Sequence, residues 1–317
     1  MPSMLLRRTS GLKSEPGFSN RVVRKRKALV TGVMLIRGIA GTCCLFLIAI
    51  ALSLIPPGIA HCDPPARIIS LAPNITEILY DLGLEDRVVA VTSYCNYPPR
   101  VEEKPRVGGF SNPSLEAIVA MRPDLVIMTD DGNPREISER LRKLSIPFYV
   151  FRAARLNQLP GELRRMGEFL GVKKGADRTA KRIERTLSRY RDRARKIPGR
   201  GEQSVLFIVQ PDPLIVAGPG TAIDDSLKLL GARNIASDAG SRYPKYSFEE
   251  VVRRSPDVIF IGQGHRADEN VKGLLKRWNV LDAVKGGRVY YVSDSLFRLG
   301  PRIAEGIREM AIPLAGK

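Results

Sequence analysis

Two stretches 133 residues apart in this 317-residue chain repeat one another. "PSLEAIVAMRPDLVIMT" (113–129) returns as "YSFEEVVRRSPDVIFIG" (246–262). Ser114, Glu116, Val119, Pro123 and Asp124 recur as Ser247, Glu249, Val252, Pro256 and Asp257. The apolar Leu115, Ile118, Leu125, Val126 and Ile127 recur as Phe248, Val251, Val258, Ile259 and Phe260. Each copy has the order that a helix followed by a buried strand requires: a capping serine, amphipathic turns, a proline stop, then an unbroken apolar run. A helix–strand unit repeated at this distance means two lobes built alike, with a cleft where they meet.

The rest of the chain agrees. Candidate strands are "RIISL", "RVVAVT", "DLVIMT" and "PFYVF", with helical stretches near 75–82, 114–121, 134–144 and 156–170. The pattern restarts at "SVLFIVQ" (204–210) and continues through "DVIFIG" and "RVYYV". Such alternation predicts parallel sheets covered by helices. Between the two series, Ala176, Ala180, Ile183, Leu187, Tyr190, Ala194 and Ile197 fall at alternating spacings of four and three, one face of a helix that Pro198-Gly199 ends. Its length of roughly 35 Å suits a strut between lobes; a coiled-coil partner helix is the alternative. The expected fold is α/β: two Rossmann-like lobes with mostly parallel sheets, joined by one long rigid α-helix. The expected boundaries are a basic tail and signal peptide at 1–60, an N-terminal lobe at 61–172, the helix at 173–198 and a C-terminal lobe at 199–317.

The formal net charge of +18 invites a nucleic-acid reading. Much of it is local, because residues 1–40 hold nine Lys or Arg and one acid. The body keeps a net +10, but its charges are interspersed and aromatic residues are 6% of the chain. No basic–aromatic stripe for single-stranded nucleic acid is present, so no nucleic-acid partner is expected. Residues 38–60 are uncharged, and "LFLIAIALSLI" followed by "PPGIA" reads as an export signal cleaved after Ala60, with Gly58 and Ala60 as the small residues. Met34 is a second possible start. The expected location is the periplasm. An uncleaved anchor stays open, as does lipidation at Cys62, against which the bulky His61 argues. Cys62 and Cys95 could pair in an oxidising compartment.

Chemistry-bearing motifs are few. No strand is followed by G-x-G-x-x-G and there is no G-x-S-x-G. "GPG" at 218–220 reads as a turn. The histidines are His61 and His265, too few for a metal cluster; His265 and Cys95 are distant candidates for reaching a bound metal centre. Trp278, the single tryptophan, sits in the helical "KGLLKRWNVL" and is expected in the core. No catalytic residue, resident metal or cofactor is expected. An α/β oxidoreductase and a membrane-tethered scaffold are the readings of another class.

"RIISLAPNITEILYDLGLEDRVVAVTSYCNYPP", "NPSLEAIVAMRPDLVI" and the long central helix together resemble the class III periplasmic substrate-binding proteins of ABC importers, nearest in pattern to the cobalamin-binding family. The resemblance covers nearly all of residues 66–315. It implies a monomer that captures cobalamin or a related corrinoid between its lobes and delivers it to an ABC permease; haem or a ferric siderophore is the alternative cargo. It also implies that the turn after the first strand lines the cleft and that loop aromatics, here Tyr94, Tyr97, Phe110 and Tyr243, meet the ligand. A tyrosine has an apolar face and a polar tip, which suits a macrocycle with amide arms. Phe110, Thr129, Tyr243 and Ser295 stand where that family carries cleft tryptophans, so the pocket chemistry is altered. Glu116 and Glu249, one per lobe at equivalent helix starts, are implied to dock onto permease arginines. The plain alternative is that each complements a helix N-terminus.

Overall fold

The two copies of the repeat form the same device. In a computed structural model, residues 64–130, 132–195, 203–262 and 269–315 are described. Helix α2 (Leu115–Ala120) starts where the Ser114 hydroxyl accepts the Ala117 N–H. Its counterpart α7 (Phe248–Arg254) starts where Ser247 accepts from Glu250. Each is followed by a residue of positive φ, Arg122 at 45° and Ser255 at 41°. Both precede a proline, whose ring disfavours a right-handed helical residue before it. The next residue is the repeated aspartate, which clasps the start of the neighbouring strand. Asp124 Oδ2 accepts from the Ala66 and Arg67 backbone N–H groups at 3.1 and 2.9 Å. Asp257 Oδ2 accepts from the Ser204 N–H and hydroxyl at 2.8 and 2.7 Å.

The first lobe is a parallel sheet of β1 (Ile68–Ser70), β2 (Val88–Val91), β3 (Leu125–Thr129) and β4 (Phe148–Phe151), in the order β2-β1-β3-β4. Helices α1 (Pro73–Asp81), α2, α3 (Arg135–Lys143) and α4 (Leu159–Phe169) connect and cover it. In the second lobe β5 (Ser204–Pro211), β8 (Val258–Gly262) and β9 (Val289–Val292) are parallel. A short antiparallel β6 (Leu214–Val216) and a two-residue parallel β7 (Arg233–Asn234) both pair with β5. Helices α6 (Ala222–Leu229), α7, α8 (Glu269–Arg277), α9 (Asp282–Lys285) and α10 (Ile303–Leu314) complete this lobe. The seven anticipated strands are all present. The edge strands β6 and β7 were not anticipated, because two or three residues carry no usable period.

The long helix is α5 (Lys173–Arg195). Its expected continuation to 198 lies outside the described residues. Ala176, Ala180, Ile183 and Leu187 are buried, with Tyr190 packed against the same cluster. That cluster also contains Ile68, Ile75 and Leu163 of the first lobe and Val205, Phe207 and Ile307 of the second. One apolar core therefore crosses the junction, and Asp63–Lys317 forms one compact unit. Trp278 is buried and stacks on Phe248, with ring centroids 6.4 Å apart. Among the described residues no helix is long and apolar enough to cross a membrane. The expected signal segment, His61, Cys62 and His265 lie outside the described residues.

Candidate functional site

The strand ends and the turns after them build a cleft, as expected at the carboxyl ends of parallel strands. β1 runs into an extended Ala72, and Pro73 opens α1, where its missing N–H leaves nothing unpaired. The Ser70 hydroxyl donates to Ala72 O at 3.0 Å and the Thr76 hydroxyl to Ser70 Oγ at 2.8 Å. These bonds fix the turn from within and leave Pro73 and Asn74 on the wall of a cavity of about 370 Å³. Tyr94, Phe110, Ser111, Thr129 and Ala153 complete the first lobe's side; Asp294, Phe297, Arg298 and Leu299 form the other.

Asn133 holds the first wall together. Its Oδ1 accepts the Thr129 N–H at 2.8 Å, and its Nδ2 donates to Leu71 O and Phe110 O at 2.9 and 2.8 Å. One buried amide thus ties the ends of β1 and β3 to the Phe110 loop. Gly132, at φ 123°, leaves room for the Phe110 ring, which a Cβ would strike at 2.1 Å. Gly132→Ala is expected to cost on the order of 1–3 kcal/mol through backbone strain alone, plus the displaced ring. Thermal unfolding measures it, and an unchanged melting temperature would refute this reading of the Phe110 seat.

The second wall is electrostatic. Arg298 reaches across from the loop after β9. Its Nη1 donates to Glu77 Oε1 of α1 at 2.9 Å, and its Nη2 lies 3.4 Å from Asp294 Oδ2 and 3.5 Å from Tyr94 O. Arg302 approaches the same Glu77 oxygen at 3.7 Å. Glu77 is 3% exposed, and among the described residues its buried Oε2 has no hydrogen-bond partner. Burial raises its pKa above the ordinary 4.5, against the lowering effect of Arg298 and Arg302. A carboxyl whose folded pKa is raised takes up a proton on folding. Glu77 therefore makes stability fall as pH rises from about 4.5 through the raised value. Glu77→Gln should remove that slope in melting curves taken from about pH 4.5 to neutrality. Parallel pH profiles for the two proteins would contradict the assignment.

The anticipated aromatics separate. Tyr94, 64% exposed, and Phe110 both line the cavity. Tyr97 lies under the Arg302 guanidinium, 3.8 Å from ring centroid to carbon, and lines a different recess beside α5. Tyr243 is exposed on the second lobe, on a loop whose Arg242 O and Pro244 O accept from Gly218 and Val216 N–H; it is not among the residues lining the cavity. Thr129 lines the cavity, and Ser295 is buried behind it, 2.6 Å from the Ser293 hydroxyl. Cys95 is a buried free thiol between the Thr76 and Thr92 hydroxyls, at 3.1 and 3.2 Å, turned into the core and away from the cleft. Among the described residues no three His, Cys, Asp or Glu side chains gather as a metal site.

Arg298, Asp294, Phe297 and Glu77 were not anticipated. A signal existed: "SLFRLGPR" follows the last parallel strand, the position equivalent to the turn after β4. Glu116 and Glu249 are exposed at the second residue of their helices. Each carboxyl is held below its ordinary pKa, first by its own backbone N–H and then by the capping serine. Val119 and Val252, repeat-equivalent and three residues further on, are also exposed.

Comparison with known proteins agrees with this architecture. The family model described as periplasmic binding protein matches residues 68–296. A vitamin B12-binding protein of Pectobacterium carotovorum subsp. carotovorum is 31% identical over 242 residues, 75% of this chain and 84% of that protein. An ABC transporter substrate-binding lipoprotein of Bacillus subtilis, YvrC, is 32% identical over 254 residues, 78% of this chain and 79% of that protein. Among solved structures, the apo periplasmic heme-binding protein RhuT from Roseiflexus sp. RS-1 superposes with a TM-score of 0.71 at 30% identity, covering 78% of this chain and 97% of that one. With two like lobes around a cleft and a family match across both, the chain belongs to the periplasmic binding proteins, the substrate-binding components of ABC importers, which carry ligands and are not enzymes.

Proposed function

We propose that this protein captures cobalamin or a related corrinoid in the cleft, one per monomer, and hands it to an ABC permease after export to the periplasm through a cleaved signal peptide. The observation that carries the ligand class is the character of the wall: Tyr94 and Phe110 offer aromatic faces, while the one arginine there, Arg298, is already matched by Glu77 and Asp294. A charge-balanced wall of this kind suits a macrocycle rimmed by neutral amides, since a dicarboxylate would need unmatched cations. Tyr97 and Tyr243 do not line the cavity, so the aromatic contact is assigned to Tyr94 and Phe110. The vitamin B12-binding relative points to the same ligand class.

Haem is the second reading. The exposed Tyr94 phenol supplies an oxygen that could meet iron, and a similar solved structure is a heme-binding protein. The ultraviolet–visible spectrum of protein purified from its native host separates the two. A corrin band supports the proposal. A haem band, with calorimetry showing haem binding and no corrinoid binding, would replace it.

A further inference from the structure

The charge that looks interspersed along the sequence is gathered on one face of α5. Ten of its 23 residues are Lys or Arg and three are acidic. At about 100° per residue, Arg178, Arg182, Arg185, Arg189 and Arg193 share one stripe, opposite the buried Ala176, Ala180, Ile183 and Leu187. Asp177 and Glu184 fall on the other flank, where Arg164 and Lys181 pair with them. Asp192 stands at the stripe's edge. Arg182 pairs with Asp81 at 2.7 Å. Among the described residues, Arg178, Arg185, Arg189 and Arg193 have no carboxylate within ion-pair distance.

Of the three recesses that open along this stripe, the one shared with Tyr97, of about 950 Å³, also holds the acids Glu77, Asp81, Glu85 and Glu305, and the other two are mainly basic. One, of about 590 Å³, is bounded by Arg182, Arg185, Ser188 and Arg189. The next, of about 290 Å³, has Arg189 and Arg193 on one side and Arg308 of α10 on the other. Its single acid, Glu305, is engaged by Arg302 at 2.9 Å.

We propose that this stripe docks the exported protein on an anionic phospholipid surface, with lipid phosphates seated between neighbouring guanidinium groups. Guanidinium forks match phosphate oxygens bidentately. The five arginines extend over about 22 Å, too far for one small anion and suited to several phosphates in a plane. A nucleic acid would also offer phosphates in series, but among the described residues the exposed ring beside the stripe, Tyr97, is covered by the Arg302 guanidinium, so no row of open rings is offered for bases to stack on. The face is distinct from the cleft and from Glu116 and Glu249, so the inference does not depend on which ligand is carried.

The test uses protein as recovered from its host, sedimented with vesicles of phosphatidylcholine alone or with about a third phosphatidylglycerol. Capture is expected only on the anionic vesicles, and high salt should abolish it. Arg185→Glu, Arg189→Glu and Arg193→Glu together should lower partitioning by about tenfold or more. Lys272→Glu with Lys276→Glu, on α8, should leave it unchanged. Titration of each variant with cobalamin reports on the cleft, and its thermal unfolding reports on folding. Equal capture by neutral vesicles, unaltered capture of the triple variant, or preference for a DNA duplex of matched charge would overturn the proposal.

Discussion

Replacing Glu116 and Glu249 together by alanine is expected to leave ligand affinity unchanged and to abolish uptake. Both carboxylates are solvent-exposed and neither lines the cavity, so no ligand contact is lost. Both are held ionised by their own backbone N–H and the capping serine, which also fixes where the charge sits. The Ser114 hydroxyl donates to Glu116 Oε2 at 3.0 Å. Two fixed charges, one per lobe, can set the orientation of a partner in a way that one cannot. Val119 and Val252, exposed one turn further along, place an apolar contact beside each charge. Each single variant should weaken permease capture and leave partial uptake, and high salt should mimic the loss only in part. Permease pull-down, transport and ligand titration on the same preparations decide the matter. Normal uptake by the double variant would reduce both residues to helix-end charges. Lost ligand affinity would instead put them in the pocket.

The second large effect is expected at the seam between the lobes. Arg298→Ala strands the buried Glu77 carboxylate, with Arg302 at 3.7 Å as its remaining cation. Removing one partner of a buried pair costs about 3–5 kcal/mol, a large share of the roughly 5–15 kcal/mol that holds a typical protein folded. Replacing both residues, Glu77→Leu with Arg298→Met, should cost much less, because no charge is left uncompensated in the interior. Urea unfolding of the two variants and the wild type reads this difference as a coupling between the sites. Equal losses in the single and double variants would mean that Arg298 acts through packing alone. The same single variant should lower ligand affinity, since Arg298 is also the cleft's charged wall.

The difference between Tyr94 and Tyr97 shows where sequence reasoning ends. Three residues apart in one loop, they carry the same chemistry, and both were candidates. Tyr94 lines the cleft, while Tyr97 is drawn under Arg302, which arrives from a helix start some two hundred residues later. Nothing within the loop distinguishes them. The Glu77–Arg298 pairing is equally hidden: each residue lies in a stretch that stands out in the sequence, but the partners are 221 residues apart and nothing in either stretch points to the other. The arginine stripe is a middle case: its residues are local to α5, but only packing shows that Asp81 takes one of them and that, among the described residues, no carboxylate lies within ion-pair distance of the others.

The sequence by itself determined what depends on near neighbours. Capping serines, proline stops, apolar runs and the four-three spacing of the long helix act within a turn or a strand, so strands and helices followed from them, and the repeat implied a pair of lobes. The tertiary structure alone decided the walls of the cleft, the partner of each charge and the faces the tyrosines turn toward. Those depend on segments far apart in the chain meeting at van der Waals and hydrogen-bond distance, where a side chain's role is set by whatever arrives beside it.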